Sequence, residues 1–576
     1  MGELHSQAMR RLGPEGDALR VGIGWSEADL DRAYVLVETT GGESHPGSVH
    51  LDRIAEEVRR GARGEDAAVA RQTCTDMCDG IAQGTAAMDY SLPSREIIAA
   101  AAELHARAGH FDAVVLVSSC DKAVPGHLIA AARLGLPAVH IPGGSMPAGR
   151  GGITVDQIGR MALQIRRGEL SEDEYSTWRM NAAPSCGSCA FMGTALTSQV
   201  VSESLGLALP GTAASPAGSA FLRQRAAESG AAAVRLLREG ITSRDILTPE
   251  AFENAYTVHA AVGGSTNFLL HFPAIAHEVG VPFVHDDFQA ISDRTPFLLD
   301  VRPAGKHPAN LFWHAGGVPA IMDRIRDLLH LDCLTVTGRT LGENLDALMA
   351  SGWLEERHEH LRKMGVDPDD VIRPRPSPLS PVGSLVLLRG SLAPDGAVCK
   401  RVGVRGATRR VGPARPFDSQ EEALDAITNR RVAPGDVVVI RYEGPRASGM
   451  PEQYYVTSTI AEMDDLNEHC VLVTDGRFSG ASKGPCIGHV SPEAAAGGPI
   501  ALIEEGDLVA VDLEARSLEV VGLHGVEATP DDVERAFGER RARWSPPRPK
   551  YGSGLLSLYT ATAASPTLGG MMLAPR

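Results

Sequence analysis

Asp112-Ala-Val-Val-Leu-Val-Ser-Ser-Cys120-Asp121-Lys122-Ala-Val-Pro-Gly126 begins as an apolar run and stops at a thiol, a carboxylate and an amine. A second apolar stretch follows, His127-Leu-Ile-Ala-Ala-Ala-Arg-Leu134. The first run reads as a short buried strand and the second, launched by Pro125-Gly126, as a helix. Another strand is expected at residues 137–141, ending at Gly143-Gly144, and an Ala-rich helix at 94–108. Two parallel strands joined by a helix make a right-handed βαβ unit. Cys120 is then expected at the carboxyl end of a strand, the edge where open α/β sheets bind ligands.

Strand-like and helix-like pieces alternate from about residue 94 to 320, and the pattern changes after 373. Pro374, Pro376, Pro378 and Pro381 fall close together, where few regular hydrogen bonds can form. Beyond them come strand-like runs at 384–388, 436–441, 470–474, 508–512 and 517–521, with a helix at 421–427. A chain of 576 residues is also long for one core. The expected fold is therefore α/β: an N-terminal α/β domain with a parallel sheet over residues 1–373, then a smaller β-barrel-like domain over 374–576.

Hydrophobic residues make up 43% and charged residues 22%, an ordinary balance for a globular enzyme. The net charge of −17, without a block of Lys and Arg, opposes a nucleic-acid partner. No apolar run reaches the length of a membrane span and the first residues lack a secretion-signal pattern, so a cytoplasmic protein with reduced cysteines is expected.

Nine cysteines are present. Cys333 and Cys399 read as small buried hydrophobes. Cys74, Cys78, Cys120, Cys186 and Cys189 lie closer to other chemistry. Cys186-Gly-Ser-Cys189 is expected to open a helix, whose N-terminus would favour a thiolate on Cys189. Cys74-x3-Cys78 with Cys186-x2-Cys189 has the makings of a zinc site but leaves Cys120 idle, and a redox pair is a further reading. An iron–sulfur cluster held by three cysteines, with one iron position open as a Lewis acid, is the third. Cys78-Asp79 and Cys120-Asp121 each set a hard oxygen ligand beside a soft sulfur one, which suggests two adjacent metals.

At these residues the chain resembles the dihydroxy-acid and sugar-acid dehydratase family, which includes 6-phosphogluconate dehydratase. The resemblance runs through Cys78-Asp-Gly-Ile, Tyr90-Ser-Leu-Pro-Ser-Arg-Glu96, Cys120-Asp-Lys122, Pro142-Gly-Gly-Ser-Met146, Cys189-Ala-Phe-Met-Gly-Thr194, Gly263-Gly-Ser-Thr-Asn267, Gly449-Met-Pro-Glu452, Thr474-Asp-Gly-Arg-Phe-Ser-Gly480 and Gly488-His-Val-Ser-Pro-Glu493. It covers roughly residue 22 onwards. It implies an N-terminal α/β domain and a swivelling C-terminal β-barrel, with an iron–sulfur cluster on Cys120 and Cys189 and Mg2+ on Asp79, Asp121, Glu452 and a carbamylated Lys122. Ser479 matches the family's proposed base, and a homodimer or homotetramer is implied. Many members supply a third cluster cysteine in a Pro-Cys-Asn motif, whereas this chain has Pro46-Gly47-Ser48. Cys78, adjoining Asp79, is the favoured substitute over Cys74, Cys186 or a cluster with only two protein thiolates, and a [2Fe–2S] and a [4Fe–4S] cluster both stay open.

The implied reaction is dehydration of a 2,3-dihydroxy carboxylate to a 2-keto acid, with Ser479 taking the C2 proton. His489 and His314 are weaker candidate bases, and Gly263–Asn267 lacks the lysine of a phosphate loop. Segments near Gly22, Thr257 and Ala315 resemble bacterial D-xylonate dehydratases, so an aldonate such as D-xylonate is the first expectation. 2,3-Dihydroxyisovalerate, the substrate of branched-chain dihydroxy-acid dehydratases, is the alternative, with 6-phosphogluconate behind it. An inactive metal–sulfur scaffold or sensor is a reading of another class, opposed by the joint presence of Asp79, Asp121, Lys122, Glu452 and Ser479.

Overall fold

The structure, a computed structural model, describes residues 4–574 apart from 167, 402–406, 481 and 483–485. The apolar run forms strand β3 (Ala113–Ser118), every residue of it buried. It pairs with β1 (Ala33–Thr39) on one side and β4 (Ala138–Pro142) on the other, and β2 (Ala67–Thr73) lies outside β1. All are parallel, in the order β2-β1-β3-β4. A parallel strand covered on both faces carries a continuous apolar run. Here helices Leu51–Gly64 and Ala220–Glu239 cover one face and Ser91–Ala108 and Ala123–Leu134 the other. Helix 51–64 and helix 220–239 meet backbone to backbone: a Cβ on Gly61 would lie 1.8 Å from the Ala227 carbonyl oxygen, and one on Gly230 2.1 Å from that of Val58.

The expected βαβ unit is present as β3, helix Ala123–Leu134 and β4. The helix starts three residues before Gly126, because Pro125 falls in the first turn, where a backbone N–H has no intrahelical partner to lose. β1 and β2 lie outside the expected elements. The strand order reverses between β1 and β3, so the loops leaving those two strands diverge and open a crevice at their carboxyl ends.

The second sheet contains β5 (Leu385–Leu388), β6 (Gly396–Lys400), β7 (Arg409–Phe417), β8 (Val437–Ile440), β9 (Val471–Thr474), β10 (Cys486–Ser491), β11 (Leu508–Asp512), β12 (Ser517–Leu523) and β13 (Val526–Glu527). Its order among the described residues is β13-β12-β11-β7-β8-β9-β10-β6-β5. The chain beyond β5 reaches back to β12: Arg389 bridges Ser517, and the Leu518 N–H donates to the Arg389 carbonyl at 2.9 Å. The sheet therefore curls until its ends meet, as the expected barrel-like fold requires. Cys399, Val437, Val439, Val473, Ile487 and Val511 fill its interior. β7, β8, β9 and β10 run parallel to one another, so this sheet also has a carboxyl edge from which consecutive loops emerge.

The last residues leave the barrel and pack on the first half of the chain. Arg95 Nη2 donates to the Gly569 carbonyl (2.8 Å), and the Met572 N–H to Glu96 Oε2 (3.2 Å). Among the described residues, no helix is long and apolar enough to cross a membrane.

Candidate active site

The carboxyl edges of the two parallel arrays supply the loops around one cavity of about 240 Å³. The loop after β2 brings Cys78 and Asp79, and the loop after β3 brings Cys120 and Asp121. From the barrel, the loop after β8 brings Glu452 and the loop after β9 brings Ser479. Cys189 completes the wall from the segment ahead of helix Thr194–Ser204. Lys122 stands just behind, fully buried, its Nζ donating to Asp79 Oδ2 at 2.8 Å. Cys78, Asp79, Cys120, Asp121, Lys122, Cys189, Glu452 and Ser479 thus fall at one place, from segments more than 300 positions apart in the chain.

The electrostatics of this cluster are strained. Burial first, and then the charge of Asp79, push the Asp121 carboxyl up to about 7, with Glu452 adding to the effect. Burial opposes the charge of Asp79 as well, but Lys122, Arg477 and the Ser91 hydroxyl outweigh it and hold that carboxyl below its ordinary value. Three carboxylates converge against two cations, and the excess negative charge favours a bound cation.

The sulfurs behave as a set. A hydrogen bond between Cys78 and Cys120 lowers the first thiol and raises the second, so the pair favours its thiolate on Cys78. Cys189 corrects the sequence reading: the helix begins at Thr194 with Gly193 before it, so Cys189 is not at a helix N-terminus, and burial pushes its thiol up rather than down. Cys74 does not line the cavity; it packs with Ile98 and Ala123, and burial raises its thiol to about 12. A zinc site on Cys74, Cys78, Cys186 and Cys189 is not assembled. Cys399 is a buried hydrophobe in the barrel, as expected, whereas Cys333 is only half-buried.

Residues given no role in the sequence reading hold the acids in place. Arg477, fully buried, pairs with Glu452, lies 3.5 Å from Asp79 Oδ2, and donates to Ser91 Oγ at 2.7 Å and the Met450 carbonyl at 2.7 Å. Ser91 Oγ donates to Asp79 Oδ1 at 2.7 Å. Asn267, from the Gly263–Asn267 turn, donates to Glu452 Oε1 at 3.0 Å and to Thr194 Oγ1 at 2.7 Å, so that turn braces the acids and is no phosphate loop. Gln83 Nε2 donates to Glu452 Oε2 at 2.5 Å. Arg477, Ser91 and Asn267 stand in the quoted motifs and Gln83 two residues beyond one, but nothing in a linear motif says which polar residue faces inward.

The two histidines considered as bases lie elsewhere. His314 stacks on His360 and His489 borders a separate small void, and burial depresses them to about 4 and about 3. Gly47 is at the site: a Cβ on it would lie 2.7 Å from Cys120 Sγ and 3.2 Å from His45 Nδ1.

Two family descriptions match the chain: the N-terminal part of dihydroxy-acid/6-phosphogluconate dehydratases over residues 32–344 and the C-terminal part over 370–570. Among similar proteins, the dihydroxy-acid dehydratase of Caldicellulosiruptor bescii is 42% identical over 558 residues, covering 96% of each chain. That of Pyrococcus furiosus is 41% identical over 556 residues, again covering 96% of each. A third, from Solidesulfovibrio magneticus, is 42% identical over 565 residues and covers 97% of each. These relatives carry the dihydroxy-acid name, the alternative in the sequence reading, and not the xylonate one. With both halves matched and the acids, thiols and serine gathered in one cavity, the chain belongs to the dihydroxy-acid/6-phosphogluconate dehydratase family and is an enzyme of the hydro-lyase class.

Proposed function

We propose that the protein dehydrates a 2,3-dihydroxy carboxylate with a short, weakly polar tail, of which 2,3-dihydroxyisovalerate is the type, to the corresponding 2-keto acid. The observation that carries this reading is the make-up of the cavity wall. Beside the acids and thiols, Val155, Ile158, Phe191, Ala195, Tyr454 and Tyr455 form much of the lining. Among the described lining residues there is no Lys, Arg or His to pair with a phosphorylated tail, and Asp156 is among them. A polyol tail needs a row of polar partners, and leaving such groups unpaired costs far more than a misfitting methyl group. The names of the relatives point the same way.

The residues fit the two inorganic groups that the family implies. Cys78, Cys120 and Cys189 offer three sulfurs for an iron–sulfur cluster, and Asp79, Asp121 and Glu452 offer oxygens for Mg2+. An ammonium on Lys122 beside Asp79 would compete with a cation there, whereas a carbamate on Nζ would reverse its charge and add an oxygen ligand. When bound, these groups would supply Lewis acidity toward the 3-hydroxyl and positive charge toward the carboxylate. The chain's own part is to take the C2 proton at Ser479 Oγ, to exclude water with the aromatic wall, and to hold the acids rigid through Arg477 and Asn267.

The test is anaerobic reconstitution with iron, sulfide and Mg2+, followed by keto-acid assays on 2,3-dihydroxyisovalerate, D-xylonate, D-gluconate and 6-phosphogluconate. The highest kcat/KM is expected for the branched acid. Higher kcat/KM on a sugar acid would overturn the tail assignment, and no turnover of any of them with an intact cluster would overturn the reaction. Ser479→Ala is expected to keep the cluster's visible absorbance and lose turnover; an active variant would remove Ser479 as the base.

A further inference from the structure

The loop that follows β1 brings a histidine to the back of Cys120. The His45 side chain is almost completely buried, with Nδ1 3.9 Å from Cys120 Sγ and Nε2 3.6 Å from Asp76 Oδ2. The Asp76 side chain is likewise buried. Neither His45 Nε2 nor Asp76 Oδ2 has a hydrogen-bond partner within normal distance among the described residues. A buried imidazole and a buried carboxylate are costly unless they are used together.

Each ring nitrogen faces a different neighbour, so the ring is placed as a relay between a carboxylate and a sulfur rather than as one arm of a three-residue chelate. Gly47 is what allows it. A side chain there would begin 2.7 Å from the sulfur and 3.2 Å from the ring, in the gap between them. The Pro-Gly turn thus gives up a side chain at the position where the resembling motif has cysteine and brings the imidazole two residues earlier against the same sulfur.

We propose that His45 is a positioning residue for the cluster, donating Nδ1–H to the Cys120 sulfur while a second proton, held between Nε2 and Asp76 Oδ2, fixes the ring. This rests on Cys120 being a cluster ligand. Hydrogen bonds to cluster sulfurs withdraw electron density from them and favour the reduced state, and a carboxyl group behind such a histidine sets its orientation. His45 therefore raises the cluster's reduction potential, and Asp76 acts through His45.

The experiment uses the reconstituted holoenzyme and measures reduction potential and visible absorption in wild type, His45→Leu, His45→Gln, Asp76→Asn and the Leu/Asn double variant. Expected are a lower potential and shifted sulfur-to-iron bands in His45→Leu, a smaller change in Asp76→Asn, partial recovery in His45→Gln, and a double variant no different from His45→Leu. Unchanged potential and bands in a cluster-loaded His45→Leu would refute the proposal. If His45→Leu does not load, Asp76→Asn decides, since it keeps the imidazole. Pulsed EPR on the reduced, 15N-histidine protein should show weak nitrogen coupling that is lost in His45→Leu; strong coupling would mean direct ligation and would also refute it. Failure of the wild type to bind a cluster, or full loading of Cys120→Ala, would refute the underlying ligand assignment instead.

Discussion

Replacing Arg477 with methionine tests whether the acid cluster carries the charge imbalance described above. Methionine keeps most of the buried volume and removes the cation. At 3.5 Å the Arg477–Asp79 attraction is roughly 5 kcal/mol with an effective dielectric of about 20, and Glu452 lies closer still. That full cost is not realised, because a carboxylate of the cluster other than Asp121, which is already pushed up to about 7, can bind a proton instead. For a carboxyl of ordinary pKa near 4, protonation costs about 4 kcal/mol at pH 7 and about 1 kcal/mol at pH 5. The smaller term governs, so the deficit relative to wild type is about 4 kcal/mol at pH 7, close to the usual penalty for breaking a buried ion pair. The sign follows from proton binding: the folded variant holds a proton that its unfolded chain releases near pH 4, so it loses stability against wild type as pH rises from 4 to 7. Thermal unfolding of the magnesium-free proteins at pH 5, 6 and 7 measures this. Added Mg2+ should narrow the gap at pH 7, by supplying the missing charge, and Arg477→Lys should fall between the two. A deficit that is absent, or that is the same at pH 5 and pH 7, would refute the charge argument.

Asn267→Ala removes a donor to Glu452 and is expected to weaken Mg2+ binding by about 10-fold or more, as loss of an outer partner commonly does, measured by titration calorimetry. Gly230→Ala would set a Cβ 2.1 Å from the Val58 carbonyl oxygen and force helix 51–64 away, at a cost of about 1–3 kcal/mol or more; an unchanged unfolding midpoint would show that the helices separate freely. His127 is fully buried, and burial depresses it to about 3. Its unfolded form takes up a proton below about pH 6.5 while the folded form does not, so stability falls by about 1.4 kcal/mol per pH unit below that point. His127→Leu should therefore gain on wild type between pH 6.5 and 5, and parallel pH profiles would contradict this.

The sequence by itself fixed what depends on local pattern. The run at 113–117 had to be a buried strand because its residues are continuously apolar, and the polar residues after it ended the strand just before Cys120. The motifs also singled out Cys78, Asp79, Cys120, Asp121, Lys122, Cys189, Glu452 and Ser479, all of which meet at one cavity. It misplaced Cys189, because an apolar-periodic stretch shows that a helix is near but not on which residue it starts. Only the tertiary structure decided the rest. The strand order placed the crevice between β1 and β3, and the barrel's parallel strands turned Glu452 and Arg477 toward it. Burial among unlike neighbours, and not residue type, made Asp121 a weak acid and Arg477 a brace. It also made Gly47 an opening through which His45 reaches Cys120, since distance across space is a property that spacing along the chain does not contain.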